Sequence, residues 1–212
     1  VGERYVTDVG LRQLEKYADM YGLTETSGIE IEESTPQISD IDPVRSAIGQ
    51  GTNNFTTVGL ARYITTVANS GTCYNLTLLD KLTDHNGDQI EDYEATVRNM
   101  ITMDESYWDA IHTGMRRVVE GKSYYQDLTV NVAGKTGTAQ ESKNRPNHAL
   151  FVCYAPYENP EIAMAVRVAN GYTSDYSAQI AKDVVKYYYD LADEEEIASE
   201  AKTLVEGSLN AD

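Results

Sequence analysis

The chain has 212 residues, of which 34 are acidic and 17 basic, leaving a net charge of −17, and 41% of it is hydrophobic. That is enough chain and apolar content for one globular domain or most of one. A field this negative repels a phosphate backbone, so nucleic acid is not an expected partner, and no run approaches the roughly 18 apolar residues of a membrane span.

The chain opens on Val1-Gly2-Glu3-Arg4, with neither an initiator methionine nor a signal peptide, and is expected to be cut from a longer protein. Residues 1–191 read as one folded unit and 192–212 as an acidic, solvated and mobile tail opened by Asp193-Glu194-Glu195-Glu196. Leu11, Leu14, Tyr17, Ala18 and Tyr21 recur at helical spacing before Gly22. Residues 24–47, rich in Glu, Ser, Thr, Asp and Pro, predict a long loop. A second helix is predicted from about Thr57 to Asn69, with Val58, Ala61, Ile64, Val67 and Ala68 as its apolar stripe and Gly71 as its stop. Asn86-Gly87-Asp88 predicts a hairpin, with positive φ at both turn positions and strands near Leu76–Leu79 and Tyr93–Met100.

A third helix is predicted over Glu105–Glu120, turning Trp108, Ile111, Met115, Val118 and Val119 inward. Three strands follow, over Val130–Ala139, Ala149–Ala155 and Glu161–Ala169, the last two joined at Pro156–Pro160. A final helix over Ser174–Leu191 places Tyr176, Ile180, Val184, Tyr187, Tyr188 and Leu191 on one side as packing residues. Links this short between strands require antiparallel pairing. The fold class expected is therefore α+β, an antiparallel sheet flanked by helices. Cys73 and Cys153 have no C-x-x-C spacing, and His85, His112 and His148 have no ligand spacing, so neither a disulfide framework nor a metal site is expected.

The chemistry lies in Ala133-Gly134-Lys135-Thr136-Gly137-Thr138-Ala139-Gln140. One fixed positive charge, two hydroxyls and an uncluttered backbone on a single strand can hold a carboxylate and a carbonyl. The plain alternative is a solvated strand lysine among β-forming threonines. Upstream, Ile48-Gly49-Gln50-Gly51 is followed by Thr56 and Leu60-Ala61-Arg62. Together these passages resemble the transpeptidase domain of class B penicillin-binding proteins. Thr26-Ser27-Gly28-Ile29-Glu30-Ile31, Ala68-Asn69-Ser70-Gly71-Thr72 and Phe151-Val152-Cys153-Tyr154-Ala155-Pro156 add to the resemblance, which runs from about Leu11 to Leu191. Thr57, where the family usually has proline, and the stretch from Cys73 depart from it.

The resemblance implies the penicillin-binding/β-lactamase-like transpeptidase fold, here incomplete. It also implies a serine acyl transfer on peptidoglycan stem peptides ending in D-Ala-D-Ala, with β-lactams as acylating mimics and no cofactor. In that scheme Lys135 supplies charge and helps organise proton transfer, while Thr136 and Thr138 hold the terminal carboxylate. The Thr138 N–H forms half of an oxyanion hole, and Gly137 lets the substrate backbone come close. The family also needs S-x-x-K and S-x-N upstream of K-T-G. Here S-x-x-K occurs only at Ser199–Lys202, and S-x-N only at Ser142-Lys143-Asn144 and Ser208-Leu209-Asn210. The chain is thus expected to be the C-terminal part of the domain, without the nucleophile and inactive alone. It would partner either the missing N-terminal part or itself. The resemblance places the parent at the extracytoplasmic face of a bacterial membrane.

A non-catalytic relative or a β-lactam sensor domain would carry the same residues. Nucleotide binding is disfavoured, because Thr129 stands where a phosphate loop ending Gly134-Lys135-Thr136 needs glycine, and no strand precedes Gly49-Gln50-Gly51.

Overall fold

The computed structural model describes residues 7–140 and 144–200. The chain forms α1 (Thr7–Met20), a single turn α2 (Pro43–Ser46) and α3 (Thr57–Ala68). After these come β1 (Thr72–Tyr74), β2 (Lys81–Thr83), β3 (Gln89–Asp92), β4 (Val97–Met100) and α4 (Glu105–Glu120). A 3-10 turn (Ser123–Tyr125) leads to β5 (Ala133–Ala139), β6 (His148–Ala155), β7 (Ile162–Val168) and α5 (Ser174–Tyr188). The expected antiparallel sheet is present, in the order β5-β6-β7. Its register runs from Ala133↔Tyr154 to Ala139↔His148, and from Ala149↔Val168 to Ala155↔Ile162.

Strand alternation sends β6 side chains to two separate cores. On one face Tyr154 and Ala133 pack with Ile64, Val67 and Ala68 of α3 and Met115 of α4. On the other, Phe151, Cys153 and Ala155 pack with Ala178, Ala181 and Val185 of α5 and with Val119 and Tyr125. Cys153 is fully buried, and its burial pushes the thiol pKa up, so it serves as an apolar filler. Two of the three histidines have structural contacts: His112 Nε2 lies 2.8 Å from the Val67 carbonyl, and His148 Nδ1 accepts from the Asn170 N–H at 3.0 Å.

The α3 start is capped as its sequence allows. The Thr56 hydroxyl accepts from the Gly59 N–H at 3.0 Å, so the helix begins at Thr57 without the proline usual there. Arg62, buried in α3, donates to the carbonyls of Gly22 and Glu25 and ties down the end of α1, where Gly22 takes φ +71°.

Three expectations need correction. The loop over 24–47 contains α2, started by Pro43 and capped by the Asp42 carboxylate, which accepts from the Arg45 N–H at 3.2 Å. The hairpin is real, but its strands β2 and β3 sit closer to the turn than predicted. Leu76–Leu79 is not a strand, because its groups bond to the loop before α2: the Leu76 N–H donates to Ser27 O at 2.8 Å and the Leu78 N–H to the Glu30 carboxylate at 2.8 Å. Val97–Met100 pairs instead with Thr72–Tyr74. In the turn itself only Gly87 has positive φ (+90°). The Asp84 carboxylate accepts from the N–H groups of Asn86 and Asp88, which imposes a wider turn than the two-residue form.

The third correction concerns α5. Its large residues do not face the sheet: Tyr176, Ile180, Val184, Tyr187, Tyr188 and Leu191 are between 42% and 55% exposed. The buried side carries Ser177, Ala178, Ala181, Lys182, Val185 and Lys186. Small residues let the helix close on Phe151 and Cys153. Two lysines are tolerated there because Lys182 Nζ donates to both Asp127 oxygens (2.8 and 2.9 Å) and Lys186 Nζ to both Glu200 oxygens (3.0 Å each).

Candidate active-site wall

Strand β5 has β6 on one edge and no strand on the other among the described residues. Its residues 135, 137 and 139 alternate with 134, 136 and 138 across the sheet. Gly134 is the sterically demanding glycine: a Cβ there would lie 2.4 Å from the Phe151 ring and 2.9 Å from the Val152 carbonyl. A Cβ at Gly137 would meet only Leu150, at 3.3 Å. Gly134 thus seats the strand on its core, while Gly137 leaves the outer stretch bare.

Lys135 is exposed, and its ammonium donates to the Thr136 carbonyl at 2.8 Å. No ion pair among the described residues involves it. Its charge therefore remains available to an anion, on a chain that is otherwise strongly acidic. Thr138 is exposed, and Thr136 and Gly137 are half-buried. Helix α4 backs this strand from below: Arg116 Nη1 donates to Val132 O at 3.2 Å and Nη2 to Asn131 Oδ1 at 2.8 Å, fixing the entry to β5.

The structure brings the four predicted residues together on one strand. It also brings in a residue to which no role was given, Gln50. The Gln50 carboxamide donates to the Thr138 carbonyl at 3.5 Å. The loop that carries it closes through the bridge Gln37↔Asn54 and through Ser39, whose hydroxyl accepts from Ser46 Oγ at 2.7 Å and from the Thr52 N–H at 3.1 Å. Gly49-Gln50-Gly51 stood out in the sequence only as a pattern, because nothing local joins it to a strand 88 positions away.

Ser199 lies in the helical turn over 194–200, whereas Ser142, Lys143, Lys202 and Ser208-Leu209-Asn210 lie outside the described residues. Residues 133–139 are extended, not wound into a helix as a phosphate loop requires. Among the described residues no helix is long and apolar enough to cross a membrane.

A family model described as "Penicillin binding protein transpeptidase domain" matches residues 4–186. Penicillin-binding protein 2B of Streptococcus pneumoniae is 29% identical over 190 residues, covering 79% of this chain and 28% of that protein. Penicillin-binding protein 2A of Bacillus subtilis is 30% identical over 203 residues, covering 82% and 28%. The peptidoglycan D,D-transpeptidase MrdA of Haemophilus influenzae is 28% identical over 219 residues, covering 85% and 33%. A solved structure of the Streptococcus pneumoniae protein superposes with a TM-score of 0.77 at 26% identity, covering 90% of this chain and 35% of that one. The chain therefore spans about a third of the length of these relatives. With the fold, the K-T-G strand and the domain match in agreement, the chain belongs to the penicillin-binding protein transpeptidase domain family.

Proposed function

We propose that this chain forms one wall of the acyl-transfer site of a peptidoglycan D,D-transpeptidase, with the nucleophilic serine supplied by polypeptide outside it. The observation that carries this reading is the outer edge of β5, which pairs with no strand among the described residues and where an ammonium outside any ion pair and two hydroxyls lie within four residues. In the reaction the serine oxygen attacks the penultimate D-alanine carbonyl of a stem peptide. The Thr138 N–H donates to the oxyanion as negative charge develops there. The hydroxyls of Thr136 and Thr138 hold the terminal carboxylate, and Lys135 supplies positive charge beside the cleft and helps organise proton transfer. The peptide bond breaks, D-alanine leaves as the protonated amine, and an amine of a second stem peptide displaces the serine. A β-lactam presents the same carbonyl and carboxylate, and its ring opens on the serine. No step calls for a metal or cofactor.

In this reading the partner is the rest of the same domain, and the parent works at the extracytoplasmic face of a bacterial membrane. The names of the relatives support both the substrate class and the β-lactam reaction. The test is covalent labelling by a fluorescent penicillin. The isolated chain should take no label, and the full-length parent should take one per molecule. Lys135→Ala in the parent should slow labelling by about 10²–10³-fold, the cost of losing one preorganised polar group. Stoichiometric labelling of the isolated chain, or full-rate labelling of Lys135→Ala, would refute the assignment.

A further inference from the structure

Gln50 meets β5 through its side chain alone, while its backbone is held at both ends. Its N–H donates to Arg45 O at 3.0 Å, and its carbonyl accepts from Asn53 Nδ2 at 3.0 Å. The flanking glycines take φ +79° and +86°. At Gly51 a Cβ would lie 2.6 Å from Ser39 Oγ and 2.9 Å from Ser46 Oγ, whereas at Gly49 it would meet nothing within 4 Å. The loop is therefore pinned on one side and open on the other, and the Gln50 side chain reaches from it to β5.

In an antiparallel strand the N–H and C=O of one residue point to the same edge. The group that holds the Thr138 carbonyl thus stands at the edge on which the Thr138 N–H is offered. An extended peptide that adds to a strand edge donates its own N–H to the carbonyls there. At 3.5 Å the Gln50 bond is at the long limit for its kind and readily exchanged.

We propose that Gln50 is a positioning residue whose carboxamide occupies the Thr138 carbonyl in place of a substrate N–H and yields it when an extended acyl donor lies along β5. One hydrogen bond to the Thr138 carbonyl replaces another, so the carbonyl stays paired through the exchange. The occupied edge keeps β5 from pairing with unrelated strands. Every donor must first displace the carboxamide, which weakens the initial complex. The inference rests on reading Lys135–Thr138 as the substrate wall.

The experiment uses the full-length parent and a fluorescent penicillin, whose side-chain amide offers one N–H. It separates the constant K of the first complex from the rate constant of acylation. With K the dissociation constant, Gln50→Ala should lower K by about 2- to 10-fold, the range of one weak hydrogen bond, and leave the rate constant of acylation unchanged. Gln50→Asn, one methylene short on a pinned backbone, should behave as Gln50→Ala. A carbonyl ¹³C resonance of Thr138 that moves in both variants of the isolated chain would report the lost contact directly. A merely structural role would lower thermal stability and leave K unchanged. An unchanged or raised K in both variants overturns the inference while wild-type labelling leaves the parent reading intact. A wild-type parent that takes no label overturns that reading itself.

Discussion

Gly134 and Gly137 are both glycine in K-T-G context, yet they do different work. The first removes a collision with Phe151, and the second leaves low the edge proposed above as the substrate wall. Gly134→Ala should destabilise the chain by about 1–3 kcal/mol, since both the ring and the Val152 carbonyl must move. Gly137→Ala should cost less than about 1 kcal/mol, because Leu150 needs to give only a few tenths of an ångström. In the parent, however, Gly137→Ala should reduce acylation. Denaturant titration of both variants, set beside penicillin labelling, tests the division. An equal loss of stability in the two would contradict it. The K-T-G residues were legible in the sequence because their chemistry is carried by residue type and short spacing. Gly134 was not singled out, because its need comes from a phenyl ring 17 positions on.

Helix α5 illustrates why an amphipathic pattern fixes a helix but not which side turns inward. The helix carries one stripe of large apolar residues and another of small residues with lysines, and the sheet takes the second. The lysines are acceptable only because Asp127 and Glu200, from segments before and after the helix, reach them. Asp127→Asn should strand the nearly buried Lys182 ammonium and cost about 1–3 kcal/mol by thermal or chemical unfolding. The hydrogen bond from Lys182 holds the Asp127 carboxyl below its ordinary pKa, as that from Lys122 does for Asp175. A lowered folded-state pKa contributes stability above the unfolded value, and that stability is lost as pH falls through the folded one. The melting temperature should therefore drop as pH is taken below about 4. The drop should be smaller in Asp127→Asn than in wild type, and an equal acid response in both would rule out Asp127 as a source.

Besides the outer edge of β5, the molecule presents two further unfinished surfaces among the described residues. Strand β7 has β6 on one side and no strand on the other among the described residues, and α5 shows its apolar stripe to solvent. Unpaired strand edges and contiguous apolar patches favour association. We propose that the chain pairs with the remainder of its domain and, lacking it, with itself. Light scattering across a concentration series should show a mass above that of one chain at the highest concentrations. A monomer throughout would count against this.

Local pattern was enough for α1, α3, α4 and α5, for the three antiparallel strands and for the placing of Lys135, Thr136, Gly137 and Thr138 on one of them. Each of these depends on neighbours a few residues apart, which periodicity and turn chemistry encode directly. It took contacts between distant segments to bring Gln50 to Thr138, to pair Val97–Met100 with Thr72–Tyr74, and to bury the alanines of α5 rather than its tyrosines. Those outcomes are set by volumes and charges meeting across tens of residues, which no local pattern contains.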